Sequence, residues 1–372
     1  MSVALDQSHL PAARIIYNHD VMTCTADGVR GNYLYSGRAL GLSEPWDKIQ
    51  LHPDLQPLWP AIHAHYQRIG LSHTSDVVWH VHRAGLGKHI GFQPSVFYFG
   101  PEEFCHWGDD RWLETVEFVN SKNNFISLAE MLGVDVPDTR CYDHVEEVPV
   151  EHLPSGIYPC YLKPALSVAG MGIHRCESAE QLREALASIA PGTPVQIQEE
   201  VRAEAFLNLQ YQVCGRDLLR LEASEQILDG CEHRGNRVPA GHKPWCNVEP
   251  MAVWLKEQGM RGVFAFDVAV VKQADGYRYL PIECNPFFNA ATYPTLIAQK
   301  LGIREWTATT FHTDCRDLQA IDLQGLEYDW RSGEGAILIN WGTLLEGELM
   351  ILLAGSGEYR EALKAELQAL LA

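Results

Sequence analysis

Asp267 stands in the middle of an apolar stretch, residues 262–271. An ionised carboxylate in such a strand needs a partner or a metal, because burying it alone costs several kcal/mol. Residues 274–276, Ala-Asp-Gly, predict a three-residue hairpin turn that places Asp267 opposite Glu283. Asn285 then shares a face with Glu283, because side chains alternate along a strand. These oxygen ligands suit Mg²⁺ or Mn²⁺ better than zinc. A carboxylate pair with surface partners is the alternative.

Lys163 ends a second predicted strand and is followed by a loop of small residues, 165–172. Backbone N–H groups in such a loop can donate to phosphate oxygens, and the lysine adds a positive charge. The spacing of a Walker loop is missing. An ordinary hairpin connection therefore explains this segment equally well. Residues 196–201, where another strand turns polar, indicate only a domain edge.

Alternating helices and strands must position these groups. Apolar residues spaced by three and four predict a helix from Asp110 through Leu132, with Gly133 as its end. Residues 178–181, Ser-Ala-Glu-Gln, predict a capping box at the start of another helix. A closing helix at residues 358–371 places Tyr359, Leu363, Leu367 and Leu370 on one side. With short apolar strands between the helices, the pattern predicts an α/β (α+β) protein.

Composition narrows the class of protein. The 372 residues carry a net charge of −19, which argues against a general nucleic-acid or membrane-surface binder. No apolar run approaches the roughly 20 residues that span a bilayer, and the first residues lack signal-peptide features, so we expect a soluble cytoplasmic protein. The ten cysteines have no Cys-x-x-Cys pair and are predicted to be buried free thiols. His80 and His82 are interpreted as structural residues.

In their order and spacing, these segments resemble the ATP-grasp superfamily of carboxylate–amine ligases. The run 120–123, Asn-Ser-Lys-Asn, is similar to that family's first motif, and residues 283–286, Glu-Cys-Asn-Pro, match its Glu-x-Asn-Pro signature. The resemblance implies two lysines on the nucleotide phosphates, a loop that closes over them, a hinge at the adenine edge and an acid at the ribose. The nucleotide-binding residues that it implies are Lys122, Lys163, Ser167, Gly170, Gly172, Gln198, Glu199, Val201 and Glu204. The magnesium ligands that it implies are Asp267, Glu283 and Asn285.

The flanking sequences are similar to those of the pheganomycin-type peptide ligases, which are bacterial natural-product enzymes. The similar segments are residues 17–20, 285–294 and 335–340. This resemblance implies an ATP-grasp fold with an N-terminal pre-ATP-grasp α/β domain at 1–110, an ATP-grasp body at 111–310 and a C-terminal extension at 311–372. The body would comprise a lid at about 140–200 and a metal-binding lobe at about 201–310. A role in antibiotic biosynthesis follows as an expectation.

Two positions depart from the family pattern. Phe287 follows Asn-Pro and Ala265 precedes the first metal acid by two residues, where many relatives carry arginine. Both arginines would stabilise the transferring phosphoryl group or the acyl phosphate. Arg234 and Arg237 are predicted to replace them as catalytic residues, and Lys163 is predicted to be catalytic as well. A solvated basic loop is the alternative for this segment.

The implied reaction is ATP-dependent amide formation through an acyl phosphate, with small-molecule carboxylate and amine substrates, ATP and Mg²⁺. Two alternatives stay open: closure of a lactam within one substrate, and ATP binding without ligase activity. No nucleic acid or membrane partner is expected, and a homodimer is possible. The substrate-pocket candidates are His19, Asp20, Arg30, Asn289 and Tyr293.

Overall fold

The fold is seen in a computed structural model, which describes residues 14–22, 24, 31–167, 172–230 and 232–372. Gly170 and Arg30, both predicted site residues, lie outside the described residues. Helices and strands are mixed, as predicted, and the strands form three sheets.

The N-terminal unit is a parallel sheet of four strands in the order β3-β2-β1-β4. Its elements are β1 (Arg14–Asn18), β2 (Lys48–Gln50), α1 (Trp59–Arg68), β3 (Val77–Val78), β4 (Phe92–Val96) and α2 (Pro101–Trp107). A 3₁₀ helix, Asn32–Leu42, lies between β1 and β2 in the chain. Strands β2 and β3 are added on one side of β1, and β4 is added on the other side. The strand order therefore reverses between β1 and β4.

The helix predicted from Asp110 through Leu132 is two helices, α3 (Asp110–Asn120) and α4 (Lys122–Met131). Ser121 separates them because its backbone is extended and its hydroxyl accepts a hydrogen bond from the Asn124 N–H. The break places Lys122 in the first turn of α4. Gly133 follows α4 with a positive φ of 65°, as its predicted role requires.

The second sheet is antiparallel, in the order β5-β8-β6-β7. Its elements are β5 (Thr139–Tyr142), β6 (Cys160–Pro164), β7 (His174–Cys176), α5 (Ala179–Ala187) and β8 (Val195–Glu199). Leu162 and Ile197 point into a small core with Leu182 of α5. Because side chains alternate, the residues next to them, including Lys163, face away from that core.

The third sheet is antiparallel and has eight strands, in the order β13-β12-β9-β10-β11-β14-β16-β15. Its strands are β9 (Ala205–Cys214), β10 (Asp217–Asp229), β11 (Glu232–Val238), β12 (Gly262–Gln273), β13 (Gly276–Asn285), β14 (Trp306–His312), β15 (Gly335–Asn340) and β16 (Glu348–Ala354). The associated helices are α6 (Trp245–Gln258), α7 (Thr292–Leu301) and α8 (Gly357–Leu371). Residue 311, where a C-terminal extension is predicted to begin, lies inside β14. The last strands thus continue the sheet that carries Asp267.

The C-terminal strands and the N-terminal unit share one apolar core. Tyr66 of α1 is fully buried and donates its hydroxyl to the Leu338 carbonyl of β15, 2.8 Å away. Helix α8 buries Leu363 and Leu367 as predicted. Its third buried leucine is Leu371, whereas the predicted Leu370 is 40 % exposed, so that assignment was wrong.

The remaining sequence predictions about structure concern the cysteines, two histidines and membrane-spanning helices. The nine cysteines in the described part of the chain are free thiols, but the predicted burial holds fully only for Cys160, Cys176 and Cys284. The rings of His80 and His82 stack with centroids 5.6 Å apart. Among the residues described, no helix has the length and apolar character needed to cross a membrane.

Candidate active site

The β12–β13 hairpin pairs Asp267 with Glu283, as the sequence predicts. The predicted three-residue turn is wrong, because Gln273 pairs with Gly276 and leaves a loop of two residues. An irregularity in β13 next to Asp267 shifts the register by one residue. The shift brings the two carboxylates opposite each other, and it also pairs Ala265 with Asn285.

Three amide side chains hold the Asp267 carboxylate. Asn208 of β9 and Gln226 of β10 donate to Oδ1 over 2.7 and 2.6 Å, and Asn285 donates to Oδ2 over 3.0 Å. Asn208 and Gln226 were missed in the sequence. The alternation of Asn208, Gln210 and Gln212 with apolar residues along β9 was a usable signal. Gln226 had none, because the residue before it is also polar.

The apposed carboxylates carry opposite pKa shifts. Burial, and then the charge of Glu283, raises the pKa of Asp267 to about 7. Burial opposes ionisation at Glu283 too, but the Lys122 ammonium holds the pKa of that carboxyl below its usual range. Lys122 thus stabilises the ionised form of Glu283, and a divalent cation beside Asp267 would do the same for that carboxylate.

The donor set fits magnesium. No group of three or more His, Cys, Asp or Glu side chains in the described ranges is arranged to hold a metal. Two carboxylates and the amide of Asn285 are nevertheless a suitable set, because Mg²⁺ is usually held by one or two carboxylates together with substrate phosphates. The Glu283 side chain keeps 30 % of its surface exposed, which leaves it accessible to a ligand.

Lys122 connects three elements at this site. Its Nζ lies 2.9 Å from Glu283 Oε2, and its backbone N–H donates to the Ala165 carbonyl just after β6. The neighbouring Asn123 donates to the carbonyls of Tyr142 and Val195 in the second sheet. The break between α3 and α4 thus anchors the second sheet beside the carboxylates.

Lys163 reaches the same region from β6. It is only 7 % exposed, and its Nζ donates to Gln198 Oε1 over 2.7 Å. Its charge also lowers the pKa of Glu283, so the two lysines act on one carboxylate. Gln196, directly opposite Lys163, is fully buried, and its amide N and O have no hydrogen-bond partner within the described structure. Lys163, Gln196 and Gln198 are therefore buried polar side chains on this face of the second sheet.

The predicted phosphate loop is described only at its ends. Ser167 is half-buried, and Gly172 is exposed with a φ of 74°. A Cβ at Gly172 would lie 3.1 Å from the Pro164 ring, in a backbone conformation that L residues rarely adopt. Their role at the phosphates stays a prediction.

The predicted adenine hinge follows β8. Glu199 exchanges two hydrogen bonds with Asp138, each 2.9 Å long, one through its backbone N–H and one through its carboxylate. Val201 is half-buried, and Glu204 is exposed, with its backbone N–H bound to the Val270 carbonyl. Gln198 contacts Lys163 through its side chain instead. The adenine and ribose contacts of these residues stay predictions.

The structure does not bring Arg237 to the carboxylates. It pairs with Glu225 and is 54 % exposed. Since Gln226 reaches Asp267, the adjacent Glu225 and its partner Arg237 point to the other face of the sheet. Arg234 lies beside the register irregularity of β10 and β11, 3.6 Å from Asp229 Oδ2. Its catalytic role stays a prediction, whereas that of Arg237 has no geometric support.

The two family arginine positions hold apolar residues. Ala265 is fully buried, and Phe287 packs its ring against Phe97 and Tyr98 at centroid distances of 5.4 and 5.7 Å. An aromatic cluster therefore occupies the region after Asn285 and joins it to the N-terminal unit.

Three of the predicted pocket residues, His19, Asn289 and Tyr293, lie at that junction. His19 Nδ1 is 2.9 Å from the Tyr293 hydroxyl, and Asn289 donates to Asn208 Oδ1 over 3.4 Å. Asp20 is buried beside Arg83, with 3.5 Å between Oδ2 and Nη1. The first two contacts connect the N-terminal unit to the Asp267 cluster.

Comparisons with known proteins agree on the fold. No family model and no curated protein matches the sequence. The fold is similar to that of N5-carboxyaminoimidazole synthetase from Staphylococcus aureus complexed with ADP, with a TM-score of 0.61, 8 % identity and 97 % of each chain covered. The fold is also similar to that of N5-carboxyaminoimidazole ribonucleotide synthetase from Thermus thermophilus, with a TM-score of 0.55 and 17 % identity. This match covers 91 % of this chain and 95 % of the other. Biotin carboxylase from Campylobacter jejuni matches with a TM-score of 0.59 and 12 % identity, over 87 % of this chain and 84 % of the other. The chain has the ATP-grasp fold, with a pre-ATP-grasp α/β unit before it.

Proposed function

We propose that the protein is an ADP-forming carboxylate–amine ligase that makes an amide bond through an acyl phosphate. One observation carries the proposal: Lys122 and Lys163, from a helix and from a separate sheet, converge on Glu283 beside Asp267. Buried lysines next to paired carboxylates suit a ligand that combines phosphates with a metal ion. The ATP-grasp fold supports this choice.

The chain's own groups would bind and orient ATP. Each lysine ammonium has three N–H donors, so Lys122 and Lys163 can donate to phosphate oxygens while keeping their contacts to Glu283 and Gln198. A magnesium ion on Asp267, Glu283 and Asn285 would neutralise charge on the phosphates. The lysines hold the triphosphate against the carboxylates, and positioning supplies most of the catalysis.

The reaction proceeds in two substitutions. An oxygen of the substrate carboxylate attacks the γ-phosphorus, the bond to the bridging oxygen breaks and ADP leaves. The nitrogen of the amine then attacks the acyl carbon, loses a proton and expels inorganic phosphate. The loop from Ser167 to Gly172 would exclude water, which otherwise hydrolyses the acyl phosphate.

The finer assignment is a peptide ligase acting on amino acids or a small natural-product precursor in antibiotic biosynthesis. It is supported by the resemblance of the flanking segments to pheganomycin-type ligases. Closure of a lactam uses the same chemistry within one substrate. The apolar Ala265 and Phe287 favour a third possibility, ATP binding without ligation.

The test is ADP release, screened against amino acids and small dipeptides, singly and in pairs, with Mg²⁺. We expect release that requires a pair of substrates and a product whose mass equals their sum minus water. Release with one substrate and loss of water from it alone would instead identify a lactam-forming enzyme. Nucleotide binding with no ADP release across the panel would contradict the ligase assignment.

A further inference from the structure

Arg38 is a buried cation with an unused hydrogen-bonding edge. It lies on the 3₁₀ helix Asn32–Leu42, is 7 % exposed, and its Nε and Nη2 have no hydrogen-bond partner in the described part of the chain. Its Cζ lies 4.9, 4.4 and 4.5 Å from the ring centroids of Tyr35, Phe97 and Tyr293. Aromatic rings thus hold the guanidinium, but they do not satisfy this edge.

In two other arginines of this chain, the edge formed by Nε and Nη2 binds a carboxylate. Arg278 donates from Nε and Nη2 to the two oxygens of Asp135, both at 2.6 Å. Arg68 donates from the same atoms to Glu327 at 2.8 and 2.6 Å. Both of these arginines are more exposed than Arg38. A buried charge with unsatisfied donors is costly, so Arg38 is the one that most needs a bound anion.

The position of Arg38 in the fold is that of a ligand site. Phe97 directly follows β4 and His19 directly follows β1, where the strand order of the parallel sheet reverses. In open parallel sheets, ligands bind at the carboxyl ends of strands at such a reversal. Burial, with the nearby charge of Arg38, holds the pKa of His19 well below its usual range, so the ring is neutral.

The segment after the magnesium ligands reaches the same place. Phe288 donates its backbone N–H to the Phe97 carbonyl over 3.2 Å, and Tyr293 lies beside Arg38 in the first turn of α7. A ligand on Arg38 would therefore lie between the N-terminal unit and the segment that follows Asn285.

We propose that Arg38 binds a substrate carboxylate through paired hydrogen bonds from Nε and Nη2. This inference rests on the proposed function. A planar guanidinium between aromatic rings matches a planar carboxylate. Paired hydrogen bonds withdraw charge from both oxygens and make this carboxylate a poorer nucleophile toward ATP, so we assign it to the partner that supplies the amine. The amine substrate is thus an amino acid or a peptide with a free carboxyl end.

The binding test uses the wild-type chain and small probes. The Nε–H resonance of Arg38 is identified by its loss in Arg38→Lys, and it is followed as acetate, acetamide or inorganic phosphate is added. Because one bidentate pair gives only weak affinity, the titration extends to about 100 mM. We expect a saturable shift with acetate and none with acetamide. No acetate shift, an equal acetamide shift, or a shift with phosphate alone would overturn the proposal.

The functional test uses substrates found by ADP release. Arg38→Lys should raise the KM of the amino-acid amine by roughly 10- to 100-fold and leave Mg·ADP affinity unchanged. It should leave the KM of the corresponding amino-acid amide unchanged, since the amide has no carboxylate to lose. Arg68→Lys is the matched control and should keep both constants within about twofold of wild type. Equal effects of the two variants, or an equal loss with the amide, would contradict the assignment. Failure of wild-type Mg·ADP binding would reject the proposed function, whereas the acetate titration judges the Arg38 site separately.

Discussion

Two carboxylate clusters of this molecule shift the pKa of a central carboxylate in opposite directions. Glu327 receives hydrogen bonds from Arg68 and interacts with the ring of His65, and these partners hold its pKa at about 2 although burial opposes this. Asp267 faces another carboxylate, and its pKa is raised to about 7 by burial and by Glu283. Its partners keep the first carboxylate ionised, whereas the second faces a like charge that favours its protonated form.

The difference separates a structural cluster from a candidate catalytic one. Glu327 joins α1 to the C-terminal strands, since His65 Nε2 also accepts the backbone N–H of Leu338. Every charge there has a partner within the chain. At the Asp267–Glu283 pair the chain supplies amide donors to Asp267 and both lysine charges to Glu283, so Asp267 keeps a raised pKa, as groups at functional sites often do.

The largest expected effect is that of Glu283→Gln. Removing one carboxylate of the pair should lower ADP release by about 100- to 1,000-fold, because a proposed metal ligand is lost. The unfolding midpoint should change little, since glutamine can still accept from Lys122. ADP release and thermal unfolding are measured on the same preparation. A folded variant with full amide-forming activity would reject the site assignment.

Next in size is the loss of nucleotide affinity in Lys163→Met. If Lys163 binds the phosphates as proposed, the substitution removes one charged donor to them, so ATP affinity should fall roughly 10- to 100-fold in equilibrium binding. Lys48→Met is the control, because Lys48 pairs with Asp76 on the N-terminal sheet. An equal loss of affinity in both variants would show that the contact of Lys163 is not specific.

Glu327→Gln should act on stability and not on catalysis. We expect a loss of about 1–3 kcal/mol in the free energy of unfolding at pH 7, seen as a lower unfolding midpoint, with unchanged ADP release per folded molecule. The folded-state pKa lies below the unfolded one, so this stabilisation is present above about pH 4.3 and is lost as the pH falls toward 2. The midpoints of variant and wild type should therefore converge in acid. A gap that persists at low pH would contradict this origin.

The smallest effect is expected for Arg237→Ala. The side chain points to the other face of the sheet and is exposed, so ADP release should stay within about twofold of wild type. Arg234→Ala, measured in parallel, tests the predicted catalytic role of Arg234: a large loss of ADP release would support it, and an unchanged rate would contradict it. A large loss of rate in Arg237→Ala would mean that the loop rearranges when substrates bind.

Much of the site was predictable because its signals are local. The alternation of β12 and β13 placed Asp267, Glu283 and Asn285 on one face, and Ser178 and Gly133 marked helix ends correctly. The hairpin loop was predicted one residue too long. The pairing was still right, because an irregularity in β13 compensates for the shorter loop. Pro281, beside this irregularity, was a usable sequence signal, because proline within a strand marks a sheet edge or a bulge.

The sequence by itself determined the chemical groups: the hairpin carboxylates, two lysines beside small-residue segments, and a composition suited to a packed α/β protein. Only the tertiary structure decided that Lys122 contacts Glu283 and that Asn208 and Gln226 hold Asp267. It also decided that, in the described part of the chain, Arg38 Nε and Nη2 are buried among aromatic rings without a hydrogen-bond partner. Periodicity reports which face of one element is apolar. Which faces of distant elements meet depends on packing the whole chain, and no local pattern encodes that.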